Sequence, residues 1–355
     1  MCNRNPLQCI IPPYILEHMA LSGQAVPRAR AIVNLASSSA FVASRLTARV
    51  MPTLLAVQSP DGNRHRMVYD AQGTDRLPGV LKRSEGDRPT GDPALDEAFD
   101  GSGDVYDFFL ELFGRNSLDD AGMSLVSTAH VAEVGFDGDF VPLSNAYWNG
   151  SQMAYGDGDG VVFNRFTSSL EVIGHELTHG VQAFTSNLVY QGQPGALNEH
   201  FADVFGILVR QWKQGTSAEQ SSWLIGSELL VPAPTRRGIR DMENPGTAYN
   251  DDPDLGDDPQ PAHMADIYTG PKDRGGVHIN SGIPNRAFVL AAKALGGNAW
   301  EAAGKIWYET LLQLPSDCSF VECAQATVRV AADPRFGPSA KKAVQTAWKT
   351  VGIDI

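Results

Sequence analysis

Several things are scarce in this chain, and each scarcity excludes something. No run of about 18 apolar residues occurs in its 355 residues, so no stretch reads as a membrane-spanning helix. Four cysteines (Cys2, Cys9, Cys318 and Cys323) are too few for a disulfide framework in a chain this long. Cys318 and Cys323 lie close enough in sequence to bridge, but free thiols on a helical segment are the expectation. Basic residues are outnumbered, 28 Lys and Arg against 41 Asp and Glu, giving a formal net charge of −13. Phosphate binding needs a clustered basic surface, so no nucleic-acid partner is expected, and the acidic surface reads as an aid to solubility. The apolar run Cys9 to Leu16 is short, is broken by Pro12-Pro13 and meets Glu17 at once. It is no secretory signal. Two locations follow as expectations: the cytoplasm, or export by a route without a signal peptide.

What is present fits a soluble globular protein, with 43% hydrophobic and 19% charged residues. The length suits two domains and an extra segment. We expect residues 1–50 to form a prosegment, 51–184 a β-rich lobe and 185–355 a helical lobe. Pro13 to Ala20 reads as a short helix opened by proline. Arg28, Arg30, Arg45 and Arg49 follow among small residues, and a processing site is expected between Ala36 and Gln58. Turn markers crowd the next stretch, including Asp61-Gly62, Leu77-Pro-Gly79 and Gly156-Asp-Gly-Asp-Gly160. That last loop reads as a hairpin turn in preference to a cation site. Gly103–Phe113 is expected as helix, and Ser124–His130 and Val161–Phe163 as strands. From Ser168 the pattern is helical: a helix capped by Ser168-Ser169, then 195–211, a long polar loop over 232–261, and helices over 282–295, 299–312, 319–331 and 339–350.

The chain is organised around His175-Glu-Leu-Thr-His179. On a helix the two histidines stand one turn apart on one face and can grip one Zn²⁺, with Glu176 in reach of a water on it. A third ligand must come from elsewhere. Gly195-Ala-Leu-Asn-Glu-His-Phe-Ala-Asp203 opens a second helix sixteen residues past His179, far enough for an antiparallel return. Glu199 then completes a His₂Glu set, and Asp203, one turn on, suits an acceptor for a ligand imidazole. His200 reads as a helix-face residue that does not bind metal.

These motifs, with Asn145-Ala-Tyr-Trp148, Tyr155-Gly-Asp-Gly-Asp-Gly160 and Asp273-Arg-Gly-Gly-Val-His-Ile-Asn-Ser-Gly282, resemble the thermolysin family of zinc endopeptidases over residues 67–355. Pro12-Pro-Tyr-Ile-Leu16 resembles the short prosegment of its protealysin-like branch. The resemblance implies an α+β zincin fold of two lobes, β-rich then all-α, with the active-site helix at the seam. It implies His175, His179 and Glu199 as zinc ligands and Glu176 as general base. His278 and Tyr190 become oxyanion donors, and Asp273 the carboxylate orienting His278. Asn145, the backbone of Ala146 and Arg240 hold the substrate main chain. Phe163, Phe166, Val172 and Ile239 surround the pocket after the scissile bond, which implies a preference for Leu, Ile or Phe there. The partners implied are peptide and protein substrates and the chain's own Pro12–Leu16 region as inhibitor. Two alternatives are weighed: a degenerate binding protein that keeps the fold, disfavoured by the full set of ligands, base and donors, and a zinc hydrolase of another substrate, disfavoured by Asn145 and Arg240.

The chain departs from the pattern where relatives carry paired calcium. Glu171 is present, but Arg210, Ser222, Leu224 and Ser227 stand where more carboxylates are wanted, and Thr235-Arg-Arg237 replaces another calcium loop. Arg210 is expected to pair with Glu171, and calcium is doubtful. A Cys2 or Cys9 thiolate on the zinc of the precursor is chemically feasible but is the lesser expectation beside occlusion by Pro12–Leu16.

Overall fold

A computed structural model describes residues 8–22, 25, 27–36 and 63–355. The expected processing window, Cys2, Arg45, Arg49 and Asp61-Gly62 lie outside the described residues.

One mixed sheet forms the first half. Its strands are β1 (Gln8–Cys9), β2 (Arg66–Thr74), β3 (Val80–Ser84), β4 (Leu125–Val134), β5 (Phe140–Pro142), β6 (Ala146–Trp148) and β7 (Met153–Gly156). Their order is β1-β6-β7-β4-β2-β3, with β5 on β4. β2 and β7 flank β4 in parallel, and β1 adds antiparallel to the β6 edge. The first strand therefore belongs to the N-terminal segment, which donates it to a sheet built by the rest of the chain. The segment continues into a helix, Pro13–Ser22, and residues 27–36 are helical too.

Helix Pro93–Phe113 packs on this sheet and on the motif helix. It starts ten residues earlier than the apolar pattern indicates. The Asp92 side chain accepts Ala94 N–H and Leu95 N–H, Pro93 stands at the first helical position, and the buried face already runs through Ala94, Leu95, Ala98 and Phe99 before Gly101 and Gly103. Val161–Phe163 is not a strand. Asp159 Oδ1 accepts the N–H groups of Val161, Val162 and Phe163 at 2.8, 2.6 and 2.9 Å. Those amides are spent on a side chain, and Phe163 makes only an isolated bridge to Leu230. Nor is Gly156–Gly160 a hairpin turn: β7 ends at Gly156, the next element is the short helix Phe166–Ser168, and Asp157 reaches His130 Nδ1 at 2.9 Å.

The second half is helical: Gly192–Gln214, Asp273–Asn280, Gly282–Leu295, Ala302–Leu311, Phe320–Ala331 and Ala340–Thr350. A two-residue pair, β8 (Leu224–Ile225) with β9 (Arg240–Asp241), interrupts it. Cys318 and Cys323 are free and buried, as expected.

Two glycines set the seam. The motif helix, Leu170–Ala183, crosses Gly192–Gln214 at Gly174 and Gly206. A Cβ on Gly206 would come within 2.5 Å of the Glu171 carbonyl oxygen, and one on Gly174 within 3.0 Å of Gly206 Cα. Only glycines permit this approach, and it is what brings Glu199 within reach of the two histidines. Ser169 occupies the N-cap position of the motif helix, but its hydroxyl makes no capping bond.

Candidate metal centre

The groups at the seam are supplied by two helices. His175, Glu176 and His179 come from one helix and Glu199 and Asp203 from the next, all fully buried. Ligand atoms of His175, His179 and Glu199 lie within 4.8 Å of one another. His175 Nδ1 donates to Asp203 Oδ1 at 2.9 Å, and His179 Nδ1 donates to Asn198 Oδ1 at 2.8 Å. With both Nδ1–H groups so engaged, both Nε2 lone pairs face inward, 3.1 Å apart. Two lone pairs held that close repel unless a cation stands by them. Glu199 Oε2 is buried without a hydrogen-bond donor, 3.4 Å from His175 Nε2. Two imidazoles and a carboxylate are a donor set that suits Zn²⁺.

Electrostatics follow from the burial. Loss of water pushes the Glu176 carboxyl up to about 8, and a divalent cation beside it would pull it down again. Glu176 Oε2 accepts Trp148 N–H at 3.1 Å, while its Oε1 has no hydrogen-bond partner. For His278, burial works toward a lower pKa. The Glu199 and Asp273 carboxylates outweigh it and hold the imidazole raised. Asp273 Oδ1 accepts His278 Nδ1–H at 2.6 Å, and its Oδ2 accepts the backbone N–H groups of His278 and Ile279. The left-handed run Arg274, Gly275, Gly276 folds the chain so that one carboxylate serves all three.

Arg240 is fully buried. Its Nε and Nη2 clasp Asp203 at 2.9 and 2.7 Å, which holds that carboxyl well below its usual range despite burial. Its Nη1 donates to the Ile10 carbonyl at 3.0 Å. The N-terminal segment thus lies across the cluster. Ile10 N–H donates to Ala146 O at 3.4 Å. Ile11 N–H donates to Asn145 Oδ1 at 3.1 Å, and Asn145 Nδ2 donates to Ile11 O at 3.5 Å. The Cys9 carbonyl stands 3.2 Å from His278 Nε2. The Cys9 thiol donates to the Ile11 carbonyl and is no member of the His-His-Glu cluster.

Tyr190 stands at the centre but is turned. Its hydroxyl donates to Glu199 Oε1 and lies 3.2 Å from His278 Nε2. Phe163, Phe166, Val172 and Ile239 are all fully buried, in the same apolar cluster as Ile10 and Ile11. Arg210 Nη1 pairs with Glu171 Oε1 at 2.8 Å, as expected. In the 235–237 loop, Arg236 pairs with Asp252 and Asp254 at 2.7 and 3.0 Å. One expectation fails. His200 is not a helix-face residue but is fully buried, between Asn285 and Trp307. Sequence reasoning also passed over Asn198, whose position next to Glu199 was the available signal.

A mixed sheet, a helical second half and a buried His-His-Glu cluster at their seam define a metallopeptidase of the HExxH class. Comparisons with known proteins carry this further. Residues 60–183 match the catalytic domain of thermolysin metallopeptidases and residues 186–353 their alpha-helical domain. The chain is 46% identical over 352 residues to an extracellular metalloprotease of Pectobacterium carotovorum subsp. carotovorum, covering 99% of this chain and 97% of that protein. It is 36% identical over 298 residues to a thermolysin of Alicyclobacillus acidocaldarius, covering 80% of this chain and 50% of that one. Among solved structures it resembles the precursor of protealysin from Serratia proteamaculans, with a TM-score of 0.86 and 44% identity over 98% and 99% of the two chains. The chain belongs to the thermolysin metallopeptidase family.

Proposed function

We propose that the chain is a zinc endopeptidase held inactive by its own N-terminal segment, preferring a bulky hydrophobic residue after the cleaved bond. One observation carries this reading. Gln8–Ile11 lies over the His-His-Glu cluster, β1 running on into Ile10 and Ile11, whose main chain is held by Asn145, Ala146 and Arg240. The Cys9 carbonyl faces His278, and the Ile10 amide donates to the Ala146 carbonyl. These contacts support reading Cys9–Ile10 as the counterpart of a bond to be cut, with the fully buried Ile10 side chain as the residue after it.

His175, His179 and Glu199 would hold the zinc, which when bound polarises a peptide carbonyl and makes water acidic near neutral pH. Glu176 takes a proton from the attacking water and returns it to the leaving amine. His278 Nε2–H meets the charge that grows on the carbonyl oxygen, with Asp273 fixing its ring. Tyr190 joins it after giving up its bond to Glu199. One such donor is worth about 10²–10³ in rate. Arg240 and Asn145 hold the main chain on either side of the apolar pocket that includes Phe163, Phe166, Val172 and Ile239. The division into residues 1–50, 51–184 and 185–355 follows from the same reading. So does a stabilising role for the Arg210–Glu171 pair where relatives are expected to hold calcium.

The deciding experiment is cleavage of an unstructured protein by the processed enzyme, with and without a zinc chelator, beside Glu176→Gln. Loss of cleavage in both arms is the expected result. Undiminished cleavage by Glu176→Gln would break the mechanism.

A further inference from the structure

Behind the cluster lies a polar chain that the reaction itself does not use. Trp307 Nε1–H donates to His200 Nε2 at 2.8 Å. His200 Nδ1 meets Asn285 Oδ1 at 2.8 Å. Asn285 Nδ2 donates to Asp203 Oδ2 at 2.9 Å, and Asp203 Oδ1 accepts His175 Nδ1–H at 2.9 Å. All five side chains are fully buried. They come from four helices, and run from the motif helix across the helical half to its interior tryptophan.

The chain has only one internally consistent direction. An indole nitrogen can only donate, so His200 Nε2 must accept. A neutral imidazole that accepts at Nε2 carries its proton on Nδ1, so His200 donates to Asn285 Oδ1. The amide then presents Nδ2 to Asp203. The far end gives the same answer. Asp203, clasped by Arg240, is an ionised acceptor, so it requires the Asn285 amide nitrogen and the His175 Nδ1–H. That last proton leaves the His175 Nε2 lone pair free to face His179 and Glu199.

We propose that Trp307, His200 and Asn285 are positioning residues that fix the tautomer and ring plane of His175, and so tune the zinc affinity of the centre from outside it. This rests on the zinc reading above. Asp203 alone could accept from His175. Its second oxygen, however, faces Asn285 as well as Arg240, so the amide sets where the carboxylate plane lies. Buried and fully satisfied networks of this kind are stiff, and groups orienting a ligand histidine typically change metal affinity 10–100-fold when lost.

The test uses the full chain carrying Glu176→Gln, which prevents self-cleavage, with zinc dissociation constants measured by chelator competition. Asn285→Leu is expected to weaken zinc binding about tenfold, and His200→Leu about threefold, being one bond further out. His200→Asn, which keeps a donor at the Nδ1 position, should recover most of that loss. Dissociation constants within twofold of the parent, in variants whose metal-free unfolding midpoints are preserved, would overturn the proposal. A readout without substitution guards against variants that fail to fold: long-range ¹⁵N–¹H spectra of the imidazoles in the parent. His200 protonated on Nδ1 supports the chain, and protonation on Nε2 overturns it. Failure of the parent itself to bind zinc one to one would instead sink the zinc reading.

Discussion

Replacing Ile10 by alanine tests whether the N-terminal segment is held as a substrate would be. Ile10 is fully buried over the cluster, and its carbonyl and amide are both bonded to site residues. Alanine keeps those main-chain bonds and removes only the side chain that fills the pocket. Truncating a buried isoleucine to alanine costs about 2–5 kcal/mol. If that cost falls on docking, about 3 kcal/mol raises the undocked fraction about 100-fold, since each 1.4 kcal/mol is about tenfold. The assay is the initial rate at which the zinc-loaded precursor cuts a short quenched peptide, read before any shortening of the chain shows on a gel. Ile10→Ala should raise this rate by one to two orders of magnitude. Leu21→Ala is the control, because that residue is 83% exposed and contributes little to docking. The processed enzyme should be indifferent to both. A precursor rate within twofold of the parent for Ile10→Ala, with the processed form active, would refute the substrate-like docking.

Other outcomes follow from the packing around the site. Arg210→Met strands the fully buried Glu171 carboxylate and should cost about 3–5 kcal/mol in urea unfolding. Adding Glu171→Gln should restore most of it, and equal penalties in single and double variants would show that the pair is not what matters; added calcium should leave both midpoints unmoved. His130 lies between Asp157 and Asp92, and its bond to Asp157, outweighing partial burial, raises its pKa to about 9. Raised above the unfolded value of about 6.5, it contributes stability that is full below about pH 6.5 and fades as pH rises through about 9. The stability gap between the parent and His130→Asn should therefore be wider at about pH 6 than at about pH 9.5, and a gap independent of pH would remove the effect. Asparagine is the right replacement because the residue sits at φ 55°, where it is tolerated.

The His175-His179-Glu199 cluster is legible because its chemistry is written locally. A one-turn spacing on a helix places His175 and His179 whatever surrounds them, and Glu199 needed only an antiparallel return. The Arg210–Glu171 pair was legible by substitution, as one arginine standing where carboxylates are wanted. What escaped reading depends on side chains taking over backbone duties or meeting across the fold. Val161–Phe163 has the composition of a strand, yet one Asp159 oxygen takes its three amides. Helix Pro93–Phe113 runs through Gly101-Ser-Gly103, which reads as a break although Leu95 and Phe99 before it lie on the same buried face as Val105 and Phe109 after it. His200 reads as a polar residue on a helix, and nothing local shows that Asn285 and Trp307, 85 and 107 residues away in sequence, are its partners.

Arg240 shows how the grip on the N-terminal segment and the His-His-Glu cluster come to be one structure. A lysine has one point charge and could meet either the Ile10 carbonyl or Asp203. The planar guanidinium offers donors on several edges. Two of them, Nε and Nη2, are committed to Asp203, which fixes the plane of the group before any peptide arrives. The remaining donor, Nη1, is then aimed at the main chain that lies over the cluster. Asp203 in turn holds His175. The residue that holds the N-terminal segment is therefore positioned by the same carboxylate that positions His175, so the segment and the His-His-Glu cluster are tied to a single buried ion pair. That is how the arginine can be wholly buried: its charge is compensated by Asp203, and its Nη1 donates to the Ile10 carbonyl.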